Sequence, residues 1–294
     1  MDYALELHNV TKVYPNFKLD NISFSVPKGC IMGFVGENGA GKTTTLKAIL
    51  DLVHIDSGSI EIFGQKEEKD IKSSITSDIG SLKDLIGVVF DESYFHDNLK
   101  LKQISKIMSH IYKNWDHDKF ISYSKILNIP DNKSVKEFSR GMKMKLSIAV
   151  SLSHGAKLLI LDEATSGLDP MVRDEILDIF LEFIQNEEHT ILISSHIISD
   201  LEKIADYITF IHDGKIVFSE SKDELIYNYG ILKCKKEDYE KINKTYVIGV
   251  RRSTVGVEAL VSNKKKVKSL YPDLVVDGCS VEDIILLKSR SEKL

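Results

Sequence analysis

The chain has 294 residues, 43% of them hydrophobic and 28% charged, ordinary values for a globular protein and enough for one large domain with a small appendage. Its net charge of −5 argues against a nucleic-acid binder, which usually carries a basic footprint. No apolar run approaches the ~20 residues that cross a bilayer. The first residues, MDYALELHNV, lack a basic-then-apolar leader, and Cys30, Cys234 and Cys279 form no CxxC pair, so a cytoplasmic protein is expected.

Leu5, Leu7 and Val10, then Ile22, Phe24 and Val26, alternate with polar residues as in half-buried strands, and Pro27-Lys28-Gly29 makes a turn. Cys30 to Val35 is a continuous apolar run, the pattern of a buried central strand. A glycine-rich segment follows, then a helix over Thr43–Leu52. Ser59–Phe63 and Ile86–Phe90 read as strands separated by a polar connection, Gln65 to Leu82. The pattern then turns helical up to Ala156, with Ile104, Ile107, Met108 and Ile111 expected on one face. Strands and helices alternate afterwards: Leu158–Leu161, a helix from Met171 to Gln185, Thr190–Ser194, a helix over Ile197–Ile204, and Tyr207–His212. That order predicts βαβ units and a mainly parallel sheet. Asp213-Gly214 is a hairpin turn into Lys215–Ser219. Beyond Gly230 the chain is richer in lysine and valine, with short strands at Tyr246–Arg251 and Glu258–Val261 and a closing helix over Val281–Ser289.

Gly36-Glu37-Asn38-Gly39-Ala40-Gly41-Lys42-Thr43-Thr44 fits the P-loop pattern, between a buried strand and a helix as that motif requires. Its glycines let successive N–H groups face one anion, and the helix N-terminus adds positive potential. Lys42 is expected at the β- and γ-phosphates, with Asn38, Gly39, Ala40, Gly41 and Thr44 around the nucleotide and the Thr43 hydroxyl on Mg²⁺. Leu158-Leu159-Ile160-Leu161-Asp162-Glu163 is an apolar strand ending in two carboxylates. Asp162 is placed to hold the Mg²⁺ shell and Glu163 to act as general base or orient the attacking water.

Between these motifs lies Phe138-Ser139-Arg140-Gly141-Met142-Lys143, where serine and glycine open a helix and make a second anion site. Here the chain resembles the ABC transporter ATPases, whose signature reads LSGGQ. Ser139 and Gly141 match it; Arg140 and Met142 stand where glycine and glutamine are usual. Ser166-Gly167-Leu168-Asp169 resembles the family's D-loop, and Ser194-Ser195-His196 its switch histidine, which contacts the γ-phosphate. Tyr14 matches the aromatic that stacks on adenine, with Phe17 as the substitute. One departure stands out: Asp91, followed by Glu92, occupies the position of the family's metal-side glutamine. A carboxylate remains a hard oxygen ligand, so Asp91 is kept as a Mg²⁺ contact.

The resemblance implies an α/β fold: a P-loop ATPase core with a mainly parallel sheet, an antiparallel β subdomain, an inserted helical subdomain and a small α+β C-terminal appendage. The ATPase domain is expected over 1–230, its helical subdomain over about 92–156, and the appendage over 231–294. It further implies an ATP- and Mg²⁺-dependent motor on the cytoplasmic face of the membrane. Its catalytic residues are Lys42, Glu163 and His196, and the signature Ser139–Met142 completes the site of a second subunit in trans. The partners implied are multi-span permease subunits and a second ATPase, as homodimer or heterodimer, with no nucleic acid. The permease surface is expected around Asp91–Leu99, with Tyr94 and Phe95 as contacts, and Trp115 packed inside the helical block. The signature variant, the Trp115-Asp116 stretch and the appendage resemble the antibiotic, drug and peptide exporter branch, which includes exporters of phenol-soluble modulins. The competing reading is an ABC ATPase acting on ribosomes or DNA, but those relatives carry two ATPase domains or long coiled coils. This chain has one P-loop and no heptad run. A GTPase is disfavoured because no Asn-Lys-x-Asp occurs.

Overall fold

The computed structural model describes residues 2–66, 82–91 and 94–291. Most of the polar connection Gln65–Leu82, together with Glu92, lies outside them. Among the described residues three sheets form. The first, in the order β2-β1-β4-β5, is antiparallel and built from β1 (Tyr3–Tyr14), β2 (Phe17–Pro27), β4 (Ser57–Ile62) and β5 (Gln65–Lys66). The second, in the order β10-β9-β3-β8-β7-β6, joins β3 (Ile31–Val35), β6 (Ile86–Val89), β7 (Leu158–Asp162), β8 (Thr190–Ser195) and β9 (Tyr207–His212) in parallel; β10 (Lys215–Ser221) is an antiparallel edge.

Every residue of β3, β7 and β8 is buried, which explains the nearly unbroken apolar sequences of β3 and β7 and the apolar centre, Ile191–Ile193, of β8. The two-residue period sends alternate side chains to opposite layers. Met32, Phe34, Leu158, Ile160 and Leu192 pack with Leu5, Leu7, Ile22 and Phe24 of the antiparallel sheet and with Leu46 of helix α1 (Lys42–Ile49). Ile31, Val35, Leu159, Leu161, Ile191 and Ile193 pack on the other face with the helical layer. That layer contains α2 (Leu101–Ile111), α3 (His117–Ile126), α4 (Arg140–Ser151), α5 (Pro170–Phe183) and α6 (Ile198–Ile204). Both active-site strands thus end at one edge of a rigid slab, the crevice where α/β sheets bind ligands.

Several boundaries differ from expectation for local reasons. Helix α1 stops at Ile49 rather than Leu52: Asp51 is left-handed, its N–H reaches the Ala48 carbonyl, and the Leu52 N–H reaches Lys47. This is a Schellman stop with aspartate in the place glycine usually takes. The expected apolar face of α2 is only half right. Ile104 is buried and Met108 packs on the core, but Ile107 and Ile111 are 40% and 59% exposed, and Leu101 and Ser105 fill the buried side. Trp115 packs in the helical block, where its Nε1–H donates to Ser105 Oγ at 3.1 Å.

Helix α7 (Lys222–Asn228) leads from β10 into the third sheet, β12-β13-β11-β14. This sheet contains β11 (Gly230–Cys234), β12 (Val247–Arg252), β13 (Val257–Val261) and β14 (Val275–Asp277), with the short helix α8 (Lys236–Tyr239) after β11. It carries its own core of Leu232, Tyr239, Val257, Ala259, Val261 and Val267. Lysines 264–266 open helix α9 (Lys264–Leu270). Lys264 Nζ donates to the Ile226 carbonyl at 2.7 Å and Lys265 to the Tyr227 hydroxyl, so two of the three tie α9 to α7. The closing helix α10 (Val281–Ser291) sends Ile284, Ile285 and Leu287 into the ATPase core, and its Val281 N–H donates to Glu202 Oε1 at 2.6 Å.

Candidate functional site

The phosphate loop connects β3 to α1, and its lysine is nearly buried at 5% exposure. Lys42 Nζ donates to the carbonyls of Gly36 at 2.8 Å and Glu37 at 3.3 Å, so the loop curls around its own cation. Ala40 N–H closes on the Glu37 carbonyl, and the Ala40 carbonyl accepts from Gly214 N–H at 3.1 Å. The hairpin turn at Asp213-Gly214 therefore also props the loop. Gly41 caps α1 with φ +114°, and a Cβ there would sit 2.6 Å from Leu19 Cδ2 and 2.9 Å from Phe17 Cζ. Glycine is the residue that tolerates both the conformation and the crowding. Glu37, Asn38, Gly39 and Thr43 are exposed and Thr44 half-buried, at the helix end whose first N–H groups have no partner within the helix. Tyr14 is 37% exposed, with its ring 6.5 Å from that of Phe17, so an aromatic pair flanks the loop.

Asp162 and Glu163 leave the end of β7 beside this loop. Asp162 is 4% exposed and accepts from Ser194 Oγ at 2.6 Å. Glu163 is left-handed at φ +53°, an uncommon conformation for a side chain with a Cβ and one that clusters at functional sites. Its N–H is held by the Ser194 carbonyl at 3.1 Å and Ser194 Oγ at 3.2 Å. Glu163 Oε2 accepts from His196 Nδ1 at 2.6 Å, while Oε1 has no hydrogen bond and faces Lys42 Nζ at 3.2 Å. Glu163, His196 and the loop lysine thus form one chain of contacts, each carboxylate oxygen facing one of the two partners. Ser194, read from sequence only as part of the switch motif, holds the Asp162 carboxylate and the Glu163 backbone N–H.

Ser139 caps α4, its Oγ accepting from Met142 N–H at 3.2 Å, with Arg140 exposed and Gly141 half-buried. Asp169 likewise caps α5, accepting from Val172 N–H at 3.1 Å just before Pro170. Asp91, expected on the metal side, is half-exposed and paired with the guanidinium of Arg140. The carboxylate that the sequence placed on the metal side thus also has a guanidinium within reach. Sequence reasoning missed this pair because the residues lie 49 positions apart. Its trace in the sequence is that both are among the three positions, with Met142, that depart from the family pattern. Tyr94 is 74% exposed with its ring edge-on to Phe90, and Phe95 packs on the core.

The residues present fit ATP and Mg²⁺: a loop with glycine where a Cβ would clash, a Glu163 Oε1 that has no hydrogen bond beyond its ion pair with Lys42, and a hydroxyl and a buried carboxylate as hard oxygen donors. A phosphate loop facing a strand-end carboxylate pair on a parallel sheet defines a P-loop ATPase. The family model described as ABC transporter matches residues 19–166. The lantibiotic transport ATP-binding protein SrtF of Streptococcus pyogenes is 36% identical over 222 residues, covering 74% of this chain and 91% of the relative. The bacitracin transport ATP-binding protein BcrA of Bacillus licheniformis is 36% identical over 220 residues, covering 74% and 69%. A dimeric ATP-binding cassette in a post-hydrolysis state bound to ADP and Pi shares the fold, with TM-score 0.65 at 20% identity over 74% of this chain and 98% of that one. The chain belongs to the ABC transporter ATP-binding family and is an ATP-hydrolysing subunit of that class, which sets aside the ribosome- and DNA-directed alternative. Among the described residues no helix is long and apolar enough to cross a membrane.

Proposed function

We propose that this chain is the motor of an exporter of peptide antibiotics or related amphipathic peptides, working as a dimer of ATPase subunits beneath a multi-span permease at the cytoplasmic face of the membrane. The lantibiotic and bacitracin transport proteins it resembles support that substrate class. The observation that carries the motor reading is Glu163, held with one oxygen on His196 and the other ion-paired with Lys42. Glu163 takes or orients the proton of the attacking water, and His196 keeps the carboxylate aimed. Lys42 leaves its loop carbonyls for the β- and γ-phosphates, where its charge offsets that developing in the transition state. Thr43 and Asp162 are the residues that hold Mg²⁺, which neutralises phosphate charge when bound. Tyr14 stacks on the adenine, and Asn38 to Thr44 line the phosphates. Ser139, Arg140, Gly141 and Met142 of one subunit complete the nucleotide site of the other, and Asp169 lies at the same junction. All these elements occur in one chain, so a homodimer has two equivalent sites; pairing with a related ATPase is the alternative. The permease docks near Asp91–Leu99, and the unit 231–294 serves as a dimer or regulatory contact.

Size exclusion of Glu163→Gln with ATP and Mg²⁺ tests the composite site. A shift from monomer to dimer that depends on both is expected, and a monomer under all conditions would count against it.

A further inference from the structure

Three segments meet at the guanidinium of Arg140. It pairs with Asp91 at the end of β6, it opens the signature helix α4, and it lies against the D-loop, where a Cβ on Gly167 would be 2.7 Å from Arg140 Nη1. The next residue on the same face of α4, Lys143, faces Asp97 at 3.6 Å. Asp91 and Asp97 are thus each joined to α4 by a rung of opposite charge. Backbone bonds from Val135 N–H to Leu99 and from Lys136 N–H to Asp97 fix the adjoining loop. Asp91 and Arg140 line one cavity of about 520 Å³ together with Phe90, Phe138 and Met144, so the pair borders open space on one side while Arg140 rests on Gly167 on the other.

We infer that Asp91 is a positioning residue that acts through Arg140, aiming the guanidinium at the junction of the signature and the D-loop, rather than a Mg²⁺ ligand. This rests on reading Ser139–Met142 as the stretch that completes a second subunit's site. Two of the three positions that depart from the family pattern, Asp91 and Arg140, are then one ion pair, with a carboxylate at the usual glutamine facing an arginine at the usual glycine. Arg140 and Asp91 are 53% and 47% exposed, so the pair is weak enough to rearrange as the phosphates approach.

The test is steady-state ATP hydrolysis by the full chain, with ATP and Mg²⁺ titrated separately, for Asp91→Asn, Asp91→Glu, Arg140→Ala and the double variant Asp91→Asn/Arg140→Ala. Asp91→Asn and Arg140→Ala are each expected to lower kcat about twofold to fivefold, the range of an exposed ion pair. The double variant should be no slower than Arg140→Ala alone. Asp91→Glu should restore most of the rate, and half-saturating Mg²⁺ should stay at the wild-type value throughout. A rise in half-saturating Mg²⁺ for Asp91→Asn, losses that multiply in the double variant, or wild-type activity of Arg140→Ala would each overturn the inference. The Glu163→Gln size-exclusion result reports on the composite site alone, so failure of that reading is separable from failure of the pair.

Discussion

Replacing Glu163 by glutamine removes one charge and little else. Glutamine keeps the length, keeps an oxygen to accept from His196 Nδ1, and carries the same left-handed backbone strain as glutamate at φ +53°. Two costs follow. Lys42, at 6% side-chain exposure, loses the carboxylate 3.2 Å away but keeps the carbonyls of Gly36 and Glu37, so folding stability should fall by about 1–3 kcal/mol. The chemical step loses its base or water-orienting carboxylate, an effect of roughly 10²- to 10⁴-fold, or about 3–5 kcal/mol of barrier. The catalytic loss therefore exceeds the structural one, and nucleotide affinity should be kept or strengthened because the negative charge facing the γ-phosphate is gone. Phosphate release measures the catalytic loss, a fluorescent ATP analogue the affinity, and urea unfolding the stability. Hydrolysis within about threefold of wild type, with binding intact, would show that Glu163 is not the base.

The remaining expectations concern the loop, the thiols and the buried histidine. Gly41→Ala places a Cβ against Leu19 and Phe17 at φ +114°; a stability loss of about 1–3 kcal/mol with loss of ATP binding is expected, and normal binding would contradict the loop geometry. Burial pushes the Cys30 thiol up to about 12 and Cys279 up to about 11, while Cys234 is less buried and raised by a smaller desolvation. Iodoacetamide on the folded protein at pH 8 should therefore modify Cys234 first, as peptide mapping would reveal. His154 is held below its ordinary 6.5, first by burial, against the opposing pull of hydrogen bonds to Val150 and Ile86 and of Asp84. The unfolded chain then binds the proton more readily, so this contribution to stability is complete above 6.5 and declines as pH falls below it. Chemical unfolding from pH 7.5 to 5.5 should show that slope, and His154→Gln should flatten it.

Much of the fold is legible in the sequence because its strongest elements carry strong patterns. The buried runs in β3 and β7 have nearly unbroken apolar sequence, β8 has an apolar centre, and the βαβ alternation implies the parallel sheet. Weaker patterns mislead where tertiary context decides. Ile107 and Ile111 continue the helical period of α2 but face outward, because Leu101 and Ser105 take the buried side. The strand β11, central to the third sheet, escapes a reading by periodicity because Gly230-Ile231-Leu232-Lys233-Cys234 is too short and irregular to show one. In the site, contiguous motifs such as the phosphate loop and Asp162-Glu163 are readable from spacing. The roles of Ser194, Gly214 and the Asp91–Arg140 pair depend on contacts between distant segments, which spacing does not encode.

The central claim is that this ATPase drives a membrane partner. Affinity purification of the tagged chain from native membranes, followed by mass spectrometry and an ATPase assay on the recovered complex, tests it most directly. The account predicts a multi-span membrane protein that co-purifies and raises hydrolysis above that of the chain alone. Recovery of an active ATPase with ribosomes or DNA-repair factors, and without a membrane protein, would contradict it.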